Sequence, residues 1–133
     1  MFYKKKQQSG KKHTLDTVFS RYIRLRDADE NGYCTCITCQ KTLPWSDVDA
    51  GHFVSRARLS TRYNEKNVNA QCRHCNRFCA GMQYEHGKAI DKKHGAGTAD
   101  SLVALSSKLS KLTQTDYDAL ISLYRSKVAL LKK

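Results

Sequence analysis

Two Cys-x-x-Cys pairs, Cys36-Ile37-Thr38-Cys39 and Cys72-Arg73-His74-Cys75, flank a stretch that carries Asp47-Val48-Asp49-Ala50-Gly51-His52-Phe53. Tetrahedral zinc takes four soft ligands, and each pair supplies two thiolates from one tight turn. The spacing therefore predicts a structural zinc held by Cys36, Cys39, Cys72 and Cys75. Such a site cross-links distant stretches, so the metal is expected to build much of the core and chelation to unfold it. Cys34 and Cys79 are expected to be small buried residues, although Cys34 could stand in for Cys36. His74, inside the second pair, is expected to point outward.

His52 has three readings: a packing residue beside Phe53, a further zinc ligand, or a general base. As a base it suits phosphodiester hydrolysis, because an unperturbed imidazole titrates near ~6.5. That reaction also wants a divalent cation on the phosphate. Mg²⁺ needs only one or two protein oxygen ligands, since water and phosphate complete its shell. Asn76, directly after the second pair, is the candidate ligand. Asn67 could fix the imidazole or pin the loop, and Asn67 and Asn69 are equally ordinary as turn or strand-end residues. Arg56, Arg58 and Arg62 read as a solvated loop or as phosphate contacts. A zinc ribbon spaces its pairs by about 15–20 residues, whereas 32 lie between Cys39 and Cys72. The interval must therefore hold a further unit. A strand ending in His, a loop, a strand bearing Asn and a helix carrying Asn is the order of the HNH, or ββα-metal, nuclease fold.

The elements that would position these groups are short. YCTCIT, DVDAGHF and NVNAQ are β-prone pieces between turn signals, which suggests small hairpins. Before them, Thr14 to Glu30 reads as a helix capped by Thr14 and stopped by Asn31-Gly32, with Leu15, Val18, Phe19 and Tyr22 at helical spacing. After them, helices are expected over 83–93, 100–109 and 115–131. The last has Thr115 as cap with Asp118, and one apolar stripe of Tyr117, Leu120, Ile121, Tyr124, Val128 and Leu131. The expectation is an α+β fold: a basic arm over 1–13, then one domain over 14–133, with the zinc and ββα-metal core in 33–80 and a helical part in 83–133.

Lys and Arg outnumber Asp and Glu by 24 to 12. A surplus this large predicts a polyanionic partner, first of all nucleic acid. Eight of those basic side chains and a single acid fall in the first 26 residues, so Arg21 and Arg24 are expected on a cationic helix face. No apolar run is long enough to span a bilayer, and none follows the basic start as a signal peptide would. A reducing cytoplasm is the expected location, that of the bacterial host for a phage-encoded protein.

The run CITCQ…WSDVDAGHFVSRARLSTRYNEKNVNAQCRHCNRFCAGM closely resembles the NinG/Rap family of lambdoid phages, whose members carry C-I-x-C, D-A-G-H-[FY], R-[FY]-N-E-[KR]-N and Q-C-x-x-C-N in that order. The match covers 33 to about 95 well and the remainder more loosely. The Cys-x-x-Cys-Asn ending also resembles phage endonuclease VII. The resemblance implies a zinc-bearing HNH endonuclease that cuts Holliday junctions and D-loops in phage recombination, with Mg²⁺ or Mn²⁺ at the reaction. On it, Cys36, Cys39, Cys72 and Cys75 bind zinc, His52 is the base and Asn76 a metal ligand; the basic residues Arg56, Arg58, Arg62, Arg77, Arg21 and Arg24 are then expected to hold the DNA backbone. Many HNH enzymes place a metal ligand directly before the base, where Gly51 stands here. Strand alternation puts Asp49 on the Gly51 face, so Asp49 is the candidate second ligand and Asp47 is structural. Symmetric cutting needs two sites, which implies a homodimer. Its interface would be the stripe from Tyr117 to Leu131, unless that stripe packs internally.

Overall fold

The structure is a computed structural model that describes residues 10–131. Helix α1 (Gly10–Arg26) leads into a hairpin of β1 (Tyr33–Thr35) and β2 (Thr42–Pro44). A second hairpin follows from β3 (Val48–His52) and β4 (Val68–Cys72), with the short helix α2 (Leu59–Arg62) in the loop between them. A π-type turn, His74–Phe78, connects β4 to α3 (Gln83–His94), α4 (Thr98–Ser106) and α5 (Gln114–Leu131). Both hairpins are antiparallel, and β3 pairs with β4 from Val48↔Cys72 to His52↔Val68. The fold is mixed α and β, with a four-cysteine cluster at its knuckle.

The largest core is not at the cysteines. Leu15, Phe19, Tyr22 and Ile23 of α1 pack against Tyr117, Ile121, Tyr124 and Val128 of α5, with Val68 of β4 closing the cluster. Phe19 is the centre: its ring meets those of Tyr124 and Tyr63 edge-on, at 4.9 and 5.6 Å between centroids. Burying one such ring stabilises by about 1.5–3 kcal/mol. Glu65 ties the two helices at the rim, accepting from the Tyr22 hydroxyl (2.8 Å), the Tyr124 hydroxyl (2.9 Å) and Lys127 Nζ (2.8 Å). The α5 stripe thus packs inside the chain, with Leu120 and Leu131 partly buried at its edge. A second cluster joins Ile90, Ala99 and Leu102 of α3 and α4 to Phe53 and Val54 after β3.

Four sequence expectations shift. α1 begins at Gly10, so residues 10–13 of the basic arm are its first turn, while 1–9 lie outside the described residues. Thr14 is no cap; its hydroxyl donates back to the Gly10 carbonyl at 2.7 Å. The same helix stops at Arg26, four residues before the expected end, because Asp29 Oδ1 draws the amides of Asn31 and Tyr33 into a turn around Gly32 (φ 86°). At α5 the capping box is Thr113 with Asp116, two residues ahead of the expected pair: each side chain accepts from the other's backbone N–H, at 3.0 and 2.8 Å.

Candidate functional site

The two hairpins bring Cys36, Cys39, Cys72 and Cys75 together, with all four Sγ atoms within 4.8 Å of one another. A zinc–sulfur bond of about 2.3 Å requires tetrahedral edges of about 3.8 Å, and Cys39 and Cys72 already stand 3.7 Å apart. The Cys39 amide points at Cys36 Sγ (3.5 Å) and the Cys75 amide at Cys72 Sγ (3.4 Å). These donors favour thiolates. Burial pushes the Cys36 thiol up, yet hydrogen bonds from the Cys72 backbone, the Thr38 hydroxyl and the Cys39 and Thr38 backbone bring it to about 6. The cluster can hold a metal ion such as zinc. Cys34 is outside it: its thiol donates to the Arg24 carbonyl (3.1 Å) and packs on Val48 and Ala70, and burial pushes its pKa to about 11. Cys79 is half-buried and also outside, and His74 is exposed, as its position in the pair implies.

A cavity of ≈ 560 Å³ opens between α1, β3 and the knuckle, and His52, Asp49 and Asn76 all line it. The His52 ring is fixed by a 2.9 Å contact from Nε2 to the Arg62 carbonyl. A carbonyl can only accept, so Nε2 carries the proton and Nδ1 keeps its lone pair. Burial pushes the His52 pKa down to about 4, against the pull of that carbonyl. The ring is neutral at pH 7, and a phosphate brought beside it would draw the value back upward.

What holds the Arg62 carbonyl in place is Asp16 on α1. The Arg62 guanidinium donates to both Asp16 oxygens, Nε at 3.0 Å and Nη2 at 2.6 Å, and the Tyr63 hydroxyl donates to Oδ1 at 2.7 Å. Burial alone would raise the Asp16 pKa, but the hydrogen bonds from Arg62 and Tyr63 hold it below the usual carboxylate range. Arg62 is 11% exposed and also donates to the Arg56 carbonyl. It is half-buried and braces the loop, so most of its guanidinium is engaged within the chain and less of it faces solvent than at Arg56 or Arg58. Asn67 likewise does not touch the imidazole. Its fully buried amide accepts from Val54 N (2.8 Å) and donates to the carbonyls of Val54 (3.0 Å) and Thr61 (3.1 Å), which pins the loop. Asn69, also buried, accepts from Arg26, Lys93 and His94, none of which lines the cavity.

At the other end of the cavity the Asn76 amide donates to Asp49 Oδ2 at 2.9 Å. Its own oxygen accepts no hydrogen bond among the described residues. Arg77 grips Asp49 with two bonds of 2.9 Å, and Arg73 lies 3.9 Å away. Oxygen donors on a carboxylate and an amide fit a hard cation such as Mg²⁺, provided the Arg77 guanidinium leaves. Gly51 explains why no side chain stands directly before His52. A Cβ there would fall 2.9 Å from Gln71 Cβ and closer still to Gln71 Oε1, so a side chain on β4 occupies the space. Asp49, facing Gln71 in the strand register, reaches the knuckle instead.

Around the cavity stand Arg24, Arg56, Arg73 and Arg77 against Asp16 and Asp49. Arg24 is half-buried over the Trp45 ring (5.1 Å), while Arg56, Arg73 and Arg77 are exposed. Arg21 and Arg58 are exposed outside the cavity wall. Sequence reasoning missed Arg73 and Asp16. Arg73 sits inside a Cys-x-x-Cys turn, which is itself a clue to its rigidity, but nothing in the local pattern marks Asp16. No helix among the described residues is long and apolar enough to cross a membrane. The family model described as Bacteriophage Lambda NinG protein matches residues 3–133. No curated protein and no solved structure matches the chain.

Proposed function

The chain belongs to the NinG family, and from that premise we propose that it is a structure-selective endonuclease that cuts branched DNA, Holliday junctions and D-loops, in phage recombination. The observation that carries the reading is one cavity holding an imidazole with a free Nδ1, a carboxylate–amide pair and a rim of arginines. His52 Nδ1 takes the proton of a water molecule as it attacks phosphorus. The Nε2–H stays on the Arg62 carbonyl, so the ring turns neither away from the water nor into the wrong tautomer. Asn76 and Asp49 would hold a divalent cation, Mg²⁺ or Mn²⁺, which supplies charge compensation on the scissile phosphate and leaving oxygen. Arg77, released from Asp49, joins Arg24, Arg56 and Arg73 on the flanking phosphates, and the exposed Arg21 and Arg58 extend that basic surface. The zinc is scaffold only. Two cuts in a four-way junction call for two copies of the chain, which makes a homodimer the working assembly.

The test is His52→Ala offered junction and linear DNA in one tube with Mg²⁺ or Mn²⁺. Cleavage should fall by about 100-fold or more while zinc content and junction binding persist. Undiminished cutting would remove His52 from its role, and equal cutting of linear DNA would leave an HNH nuclease of ordinary duplex. A non-catalytic zinc module that binds nucleic acid is the rival, and Arg77 sitting on Asp49 favours it. That rival predicts no cation-dependent cleavage by the unaltered protein at any junction.

A further inference from the structure

The knuckle turn sorts its side chains sharply. Cys72 and Cys75 point in, while Arg73, His74, Arg77 and Phe78 are exposed. Phe78 is 78% exposed, which forgoes about 1.5–3 kcal/mol of burial. An apolar site lies close by in sequence: Ala80 and Met82 adopt left-handed backbone (φ 52° each), the chain reverses, and Met82 packs on the cysteines. The turn thus places a thioether inside and a phenyl ring outside. That ring is not loose on its backbone, because Cys79 N donates to the His74 carbonyl (3.1 Å) and Gly81 N to the Cys75 carbonyl (2.9 Å). Among the described residues its ring neighbour is His74, at 6.2 Å and 31°. Single exposed apolar residues are common. This one is two residues from Asn76, on the same turn, and the cavity-lining Arg73 and Arg77 are the sequence neighbours of His74 and Phe78.

We propose that the Phe78–His74 ring pair is a stacking platform for an unpaired base of DNA, seated where a duplex opens next to the cavity. The inference rests on the nuclease reading for its location and deepens it by naming what distinguishes a branch from a linear duplex. Every base offers a π-face, so stacking on an aromatic ring is blind to sequence but demands an unstacked base. The guanidiniums of Arg73 and Arg77 neutralise the phosphates on either side of that base. A paired duplex offers no free face, and only its phosphates would be held.

The experiment uses the full chain carrying His52→Ala, so that DNA is bound without being cut. The probes are four-way and flapped DNA with 2-aminopurine at the unpaired or branch-point position, and linear duplex of the same composition. Phe78→Ala should weaken binding of the opened DNA by about 5- to 100-fold and abolish the fluorescence quenching, with linear duplex within about twofold. Phe78→Trp should keep both signals and Phe78→Leu should lose them. Leu109→Ala, at a fully exposed apolar residue, should change neither. Zinc content checks that each variant is folded. Equal losses on linear and opened DNA, no loss at all, or full function of the leucine variant would each overturn the platform. Absence of cleavage by the unaltered protein, with Phe78-dependent quenching intact, would sink the nuclease reading and leave the platform standing.

Discussion

The two ends of the cavity are built differently. At the His52 end the groups that fix the ring are already paired: His52 Nε2 with the Arg62 carbonyl, Arg62 with Asp16, Asp16 with Tyr63, and the loop with Asn67, which leaves Nδ1 to the cavity. At the Asn76 end the contacts are made by arginines that are half exposed or more, 58% for Arg77 and 50% for Arg73, on a turn anchored by sulfurs. The first end is preorganised and the second is closed by cations that can be displaced. On the proposed nuclease reading this division fits the two roles, since a base needs its geometry before the reaction, whereas a cation site has to open, exchange water and accept phosphate oxygens. The division suggests that substrate binding rearranges the knuckle side and leaves the imidazole where it is.

The severest way to break the comparison is at the four-cysteine cluster. Chelation of a zinc held there, or Cys72→Ser, should unfold the knuckle and the β1–β2 hairpin. The α1–α5 cluster contains no cysteine, so its amides should stay protected in hydrogen exchange, a sharper outcome than the global unfolding that cysteine spacing alone suggests. Simultaneous loss of protection in α1 and α5 would show that the two ends are one cooperative unit. Next in size is Asp16→Asn. With the Arg62 brace weakened, the imidazole should sample both tautomers, visible in its ¹⁵N shifts, and turnover on junction DNA should fall about 10- to 100-fold at unchanged zinc content. Asp16→Glu should recover part of the loss. An unaltered tautomer with full turnover would detach α1 from the site.

The same contrast explains what could be read from the sequence. The four-cysteine cluster was legible because a thiolate metal site requires one residue type at short spacing, and His52 and Asn76 do stand in one cavity, as the proposed chemistry would need. Asp49 was reachable through strand alternation, although its reason needed the Gly51–Gln71 contact across the hairpin. The brace was not legible. Arg62 and Arg56 look alike in a basic loop, and folding brings both to Asp16, on a helix far away in the chain: Arg62 with two bonds and 11% of its side chain exposed, Arg56 with one bond of 3.2 Å and an exposed side chain. Charge is written in the sequence; its partner is not. In sequence the amide of Asn67 suits either touching the ring or pinning the loop, and the choice depends on where Val54 and Thr61 come to lie. The β2 strand escaped for a simpler reason: three residues ending in proline carry no period.

Glu65→Gln is a smaller cut, aimed at how α5 is fastened to the His52 end. The variant keeps the side chain's shape but removes the charge that Lys127 and the two tyrosine hydroxyls share. These groups are partly solvated, so the loss should be about 1 kcal/mol, read from urea midpoints at constant slope. The Tyr22 hydroxyl, which burial and then the Glu65 hydrogen bond push up to about 12, should titrate lower in the variant. No change in either measurement would make Glu65 a bystander and leave the aromatic packing as the whole attachment.

The finest test compares two histidines. Both sit at about 4 because burial disfavours the cation, but His52 has the Arg62 carbonyl and the cavity, whereas neither ring nitrogen of His86 has a hydrogen-bond partner among the described residues. His86 is fully buried against Phe53, ring centroids 5.6 Å apart, and the Gly81 backbone only opposes its shift. A histidine whose folded pKa lies below the unfolded value of about 6.5 binds fewer protons folded than unfolded between those two values. Its stabilising effect is therefore complete above pH ~6.5 and is lost as pH falls toward 4, by an amount on the order of 2–3 kcal/mol. His86→Phe removes that proton-binding site while keeping the volume. The variant's Tm relative to the parent, both zinc-loaded, should rise steadily from pH 6.5 to 4, with other acid-titrating groups cancelling in the difference. A constant difference across that range would mean that His86 meets a partner or a water in solution and is not the acid-sensitive point of the α3 core.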